Sequence, residues 1–521
     1  MKFRQLLMGA ASLGLVGSLV AGCGSGAPSG TTGSANSSTA ANQTLTIGDA
    51  YGDPQNFDPI ATFTLAWGEI ASNIFEGLVF RSPSLKIEPG LATSWHYVGK
   101  TELIFNLRKG VKFQDGEPFN ANAVKFTFDR LLGPQGQKGP QYSNYTAIKT
   151  VRVLNPYKVE FLLSRPDPTL ITKLAGYGAM IVPPKYIEKH GSKYFGTHPI
   201  GTGPFKVVQY IPGSKVVLQR FNGYWRGPAK LKTVVFDFIT NNSTRLADLQ
   251  TGSTQIMQEV PPAQVSLVKN DSSLKLYPVK SPTVYELGTD TSKYPTNNVL
   301  VRQAISEAIN VPAIVKNILD GYGIPVATMQ GPLSFGYDPN VKPYSYNPKN
   351  AKKLLAEAKV PKGTPLTLSY VGSDTTFQEV AQTAAKELDN IGFNVKLQSY
   401  DQNTLYNSLI PNAKAGNLYE FEWGGWTLDF DNTAELLYVP KQFWNPNYSN
   451  PQINHWLSVE RNTLNKKTRQ NAFDHIDEIL HQQAVGVPLY DVINLWAATK
   501  NVKGFVAPPD DRLWLWPVSL K

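Results

Sequence analysis

Leu366–Tyr400 reads LTLSYVGSDTTFQEVAQTAAKELDNIGFNVKLQSY, and the spacing of its apolar residues changes period twice. Leu366, Leu368 and Tyr370 recur at every second position, the period of a strand. Phe377, Val380, Ala381, Ala384, Ala385, Leu388 and Ile391 then follow the three-and-four spacing of one helix face, and Gly392 supplies a C-terminal stop. Val395 and Leu397 resume the strand period. The stretch predicts a β-α-β unit, hence a parallel strand pair with a right-handed crossover. It places this third of the chain in the α/β class.

Working outward, helices are predicted over 302–309, 312–319 and 350–358 before this unit, and over 468–483 after it. The first half reads differently. Leu103, Phe105 and Leu107 alternate with polar neighbours, Lys109-Gly110 and Asp115-Gly116 make turns, and Asn120 caps a helix whose Val124, Phe128 and Leu131 share a face. Residues 205–209 and 216–220 read as a hairpin around Pro212-Gly213. The fold class is therefore mixed, α/β in the last third and hairpin-rich α+β before it, without internal repeat. From Leu45 onward the composition is globular, and a chain this long exceeds one core, so two or three subdomains are expected.

The balance is 50 basic against 40 acidic residues, but Lys and Arg are scattered, which argues against a nucleic-acid footprint. No P-loop, Gly-x-Ser-x-Gly, His-Glu-x-x-His or Cys-x-x-Cys is present, so neither a nucleophile nor a metal set is legible and no cofactor is expected. Asp474, Glu478 and His481 share a helix face, which reads as a wet polar surface rather than a metal site. Asp429 and Asp431 stand too close in sequence to flank a sugar bond as a glycosidase pair.

Lys2 and Arg4 precede an apolar run from Leu6 to Val20, too short to span a membrane but fit for a secretory signal. Cys23 is the single cysteine; following Val20-Ala21-Gly22, it resembles the bacterial lipoprotein box, in which the thiol is acylated. Gly24–Gln43 is uncharged and polar, a flexible leash with a reach of ~25 Å for about 20 residues. The expectation is a signal peptide over 1–22, a lipidated Cys23 with its linker over 23–43, and an exported, membrane-anchored protein without disulfides.

Aromatic residues crowd Tyr419–Asp431, YEFEWGGWTLDFD, around Asp429. A carboxylate in apolar surroundings needs a cation or several donors. Two readings stand: Asp429 holds a ligand ammonium, or it caps a helix beginning near Thr433.

Further segments carry a resemblance. Asn56-Phe57-Asp58-Pro59, Phe75-Glu76-Gly77-Leu78, Leu91-Ala92-Thr93-Ser94-Trp95, Leu107–Phe119, Pro199–Phe205, Tyr224-Trp225, Val301–Ile305 and Pro488-Leu489-Tyr490 occur in an order and spacing that resemble the family 5, peptide-binding class of extracellular solute-binding proteins of ABC importers. The resemblance implies a two-lobed, periplasmic-binding-protein-like clamp with an extra inserted domain. One lobe would be discontinuous, 44–80, 200–288 and 488–521, with the insertion over 81–199 and the second lobe over 289–487. Leu287-Gly288 and Val487-Pro488 would be the hinge.

It also implies a monomer that is no enzyme. Such a protein captures oligopeptides or dipeptides outside the cytoplasm and delivers them to a membrane permease; nickel chelates, haem or short oligosaccharides are the alternatives. By motif, Asp429 after Gly425-Trp426 would hold the peptide ammonium, although Asp431-Asn432 stands where the family often has Asp-Pro. Phe63, Tyr177 and Gly178 are expected at the cleft edge, and Trp426 either on the ligand or in the core.

Overall fold

The computed structural model describes residues 43–445 and 447–521. The signal peptide, Cys23 and nearly all of the leash lie outside the described residues.

The β-α-β unit forms as its periodicity requires. Thr364–Val371 and Phe393–Tyr400 pair in parallel, from Thr364 opposite Phe393 to Val371 opposite Tyr400. Between them runs the helix Thr375–Ile391, whose first turn is capped by the Asp374 carboxylate accepting from the Thr376 and Phe377 amides. Val380, Ala381, Ala384, Leu388 and Ile391 are buried, and Gly392 ends the helix at φ +122°. The other expected helices also form, as Val299–Ala308, Val311–Asn317, Pro348–Glu357 and Lys466–Gln483.

One sheet of eleven strands connects the two halves. Its order is Phe393–Tyr400, Thr364–Val371, Leu418–Gly424, Leu274–Thr289, Gly486–Thr499, Ile256–Met257, Thr44–Asp49, Thr233–Phe238, Lys215–Arg220 and Phe205–Ile211; Gly323–Pro325 pairs off this path. A separate four-stranded sheet, Ala92–Val98, Glu102–Leu107, Lys158–Leu163 and Ile148–Asn155, is backed by the helix Ala121–Leu132, capped by Asn120.

Distinct apolar cores follow. Leu45, Ile47, Trp67, Phe75, Phe205, Phe236 and Trp496 make the first; Leu103, Phe105, Phe128 and Phe161 fill the four-stranded unit. Leu287, Ile305, Leu368, Leu388 and Val487 belong to a third core and Val284, Phe421, Phe430, Phe473 and Ile476 to a fourth, both in the C-terminal half. Met180, Val182, Ile187 and Phe195 pack on the first core rather than on that of the four-stranded unit. The segment 180–182 belongs to no strand, although the Ile181 amide donates to the Glu76 carbonyl.

Two long antiparallel strands, Leu274–Thr289 and Gly486–Thr499, carry the chain between the halves. Their register slips between Lys280 and Val284, where Lys280 faces Ile493 and Val284 faces Asp491. Val279 packs on the N-terminal core and Val284 on a C-terminal one, so the chain changes core there. Leu287 opposite Val487, the expected crossover, lies several residues inside the C-terminal core instead. The change of core coincides with the stretch Lys280-Ser281-Pro282-Thr283, which interrupts the apolar residues of the strand. No helix among the described residues is long and apolar enough to cross a membrane.

Candidate functional site

Between the N-terminal and C-terminal halves lies a cleft of about 520 Å³. The N-terminal half contributes Tyr51, Leu65, Arg245 and Glu259. The C-terminal half contributes Val371, the turn Ser373–Thr376, Phe377, Gln402, Glu422 and Tyr490. The turn opens at the C-terminal end of a parallel strand, where α/β sheets place their ligands. Tyr285 and Tyr490 stack with ring centres 5.1 Å apart, and Phe377 meets Tyr285 edge-on at 4.8 Å, giving the cleft an aromatic wall.

The floor is acidic. Tyr51 reaches both Glu259 and Asp511. Behind it the fully buried Glu69 stands against Asp49, and burial together with that neighbour holds Glu69 well above the ordinary carboxyl range. Glu259 occupies the left-handed region at φ +50°, a conformation costly for a side-chain-bearing residue, and remains accessible to the cleft. Glu422 is half-buried, and burial first, then the charges of Glu259 and Asp374, raise it to about 7. A second groove of about 320 Å³ shares Gln402 and Glu422 with the cleft and is walled by Tyr406, Trp423 and Trp444.

The residues expected from sequence land elsewhere. Asp429 caps the helix Phe430–Tyr438, accepting from the Asp431 amide, so the capping reading is the one the geometry supports, three residues earlier than expected. Its carboxylate is also clasped by Arg469, Nη1 to Oδ2 at 2.9 Å and Nη2 to Oδ1 at 2.7 Å. Arg469 Nε donates to Glu460 at 2.9 Å, and all three side chains are buried. Burial opposes the guanidinium charge, but the two carboxylates outweigh it and hold Arg469 above its ordinary value. With a bidentate protein cation in place, Asp429 has no free face for a ligand ammonium. The position that the motif assigned to a ligand ammonium is taken in this structure by the Arg469 guanidinium.

Phe63, Tyr177 and Trp426 do come together, but as a seam between the halves rather than as cleft lining. Phe63 meets Trp426 at 5.5 Å and Tyr177 at 5.8 Å, both edge-on. Tyr177 is buried against Trp67 and fits over Gly68, where a Cβ would stand 2.4 Å from its ring. Trp426 lies on Gly176, where a Cβ would come within 2.2 Å of the indole. Arg81 donates to the carbonyls of Trp426 and Thr427 at 2.7 and 2.9 Å, stitching the same seam. Gly178 packs against Gln141, and the buried Gly425 accepts through its carbonyl from the Leu428 amide at 2.7 Å.

Tyr51, Glu259, Asp374 and Glu422 are not among the residues expected at the site from sequence. For Asp374 a signal existed: it follows a strand end within a β-α-β unit. For Glu422 another did: in Tyr419–Trp423 the aromatics alternate with Glu420 and Glu422, so the carboxylates point away from the aromatic side. Glu259 follows from no local pattern.

Comparison with known proteins is consistent along the chain. The family model for bacterial extracellular solute-binding proteins, family 5, matches residues 86–445. The glutathione-binding protein GsiB of Salmonella choleraesuis (strain SC-B67) is 30% identical over 454 residues, 85% of this chain and 88% of that protein. Its counterpart in Escherichia coli O157:H7 is 30% identical over 455 residues, with the same coverage. Among solved structures, the periplasmic binding protein DppA of Helicobacter pylori in complex with peptide STSA has a TM-score of 0.78 at 26% identity, over 92% of this chain and 97% of that one. A dipeptide-binding protein from Pseudoalteromonas sp. SM9913, at 24% identity and TM-score 0.81 over 92% of this chain and all of that one, shares the fold. The order of the motifs, the two halves joined by paired long strands, the cleft between them and the family match over most of the chain identify it as a two-lobed bacterial extracellular solute-binding protein of family 5.

Proposed function

We propose that this protein captures short peptides in the cleft between its lobes, outside the cytoplasm, and delivers them to the permease of an ABC importer. The cleft carries the reading: it has walls from both lobes, a volume in the range of small-ligand sites, and an open continuation past Gln402 and Glu422. The GsiB relatives are named for binding glutathione, and the Helicobacter pylori structure holds a peptide; both support a peptide-type ligand. Main-chain hydrogen bonds recognise an extended peptide irrespective of its sequence, and waters fill what a side chain leaves empty. A ligand closes the lobes only to the extent that it binds the closed form better than the open one. The register break at Lys280–Val284 is the place where the paired strands would flex.

The discontinuous first lobe, its insertion and the second lobe are part of the same proposal, with the lobe change set near 281–283 and 492–493. So is a monomer held at the membrane through a lipid on Cys23.

Mass spectrometry of ligand carried through native purification, followed by a thermal-shift series of di- to octapeptides beside short glycans, tests the reading. Co-purified peptide and stabilisation by peptides alone are expected. Glycan, chelate or haem in the preparation, with no response to any peptide, would overturn it.

A further inference from the structure

The sign of the cleft is opposite to that of the protein. The whole chain carries a formal charge of +10, yet the charged side chains lining the cleft are Glu259, Asp374, Glu422 and a single cation, Arg245. Composition would have supplied the reverse. Arg245 is also unavailable to a ligand: it is 1% exposed, and every nitrogen of its guanidinium is occupied. Nε donates to the Gln258 carbonyl, Nη1 to the Ile239 carbonyl, and Nη2 to Asn242 Oδ1 and the Glu259 carbonyl. A ligand carboxylate entering this cleft therefore meets three carboxylates and no free cation among the described residues.

One further observation points to a donor-rich occupant. The adjoining groove is lined by Glu422 and Tyr406, whose hydroxyl accepts from the Glu422 amide at 3.2 Å, and on its aromatic side by Trp423 and Trp444, whose indole rings meet at 5.1 Å. A groove that carries both a carboxylate and aromatic faces suits an ammonium or guanidinium group.

We propose that the cleft selects ligands carrying one or more cationic groups beyond a peptide's own terminal amine, received by Glu259 and Glu422, and rejects anionic ones. This rests on the peptide reading for the ligand backbone alone; the charge preference applies equally to a free polyamine.

Calorimetric titration at about pH 8 with Lys-Ala-Lys, Ala-Ala-Ala, Glu-Ala-Glu and spermidine separates these cases. Lys-Ala-Lys is expected to bind at least about tenfold more tightly than Ala-Ala-Ala, with Glu-Ala-Glu weaker still. Glu422→Gln, a near-isosteric change, is expected to remove most of that preference, and Glu259→Gln part of it. Equal binding of the three peptides by the wild-type protein would overturn the charge preference and leave the peptide function standing. Spermidine binding without binding of any peptide would overturn the peptide function and leave the preference standing. Binding of none of the four, or a lysine preference untouched when Glu259→Gln and Glu422→Gln are combined in one variant, would overturn the inference.

Discussion

Asp429 illustrates how one contact decides a side chain's role. Buried among aromatic rings, a carboxylate needs compensation, and Arg469 provides it in bidentate form while also binding Glu460. Removing one member of such a pair leaves an uncompensated buried charge, which costs about 3–5 kcal/mol. Asp429→Asn keeps the shape and loses the charge. We expect its urea-denaturation free energy to fall by about that amount. Its affinity for a tripeptide, measured under conditions where the variant is folded, should stay within about twofold of wild type. Unchanged stability with lost binding would restore a ligand role to Asp429. The pair was only half legible: an Asp before an amphipathic run is a cap by its own chemistry, but Arg469 arrives from a helix 40 residues further on.

Elements meet along a second contact surface, the seam of Phe63, Tyr177 and Trp426. Val79–Arg81 is a short strand, and Arg81 extends from it to two carbonyls of the segment after Leu418–Gly424. Gly176 keeps the approach open, because any side chain there would strike the Trp426 ring. If the seam belongs to the closed form, loosening it shifts the balance between open and closed lobes. Arg81→Gln and Gly176→Ala are each expected to enlarge the radius of gyration of the peptide-saturated protein in small-angle scattering, and to weaken peptide binding. Scattering curves that superpose on those of wild type would remove the seam from closure. The aromatic residues of this seam were visible in the sequence; their meeting was not, because Phe63, Tyr177 and Trp426 come from three distant segments.

For the molecule as a whole, burial stores protons. Asp491 and Glu422 are raised to about 7, Glu286 to about 8 and Glu420 to about 9, in each case first by burial. Facing Glu422 are Glu259, Asp374 and Gln402; Asp491 feels Lys280, and Glu420 feels Tyr285, Asp374 and Glu422. The folded state therefore holds protons that the unfolded chain releases from about pH 4.5 upward. Where the native state binds more protons, stability falls as pH rises. The ligand-free protein is expected to melt at progressively lower temperature from about pH 5.5 to about pH 9, with the decline flattening once these carboxyls are ionised. A melting temperature that rises over that interval would contradict these protonation states.

Local order in the chain was enough for the β-α-β unit, the hairpin, the capped helices and the motif order that marks the family. Each depends on neighbours within a few turns or strand positions, where periodicity and backbone preference act directly. The cleft, its inverted charge, the partner of Asp429 and the point where paired strands change core required the folded molecule. Those features are set by which distant groups share a low-dielectric space, and a carboxylate becomes a cap, a proton store or a receptor for a cation only once its neighbours are fixed.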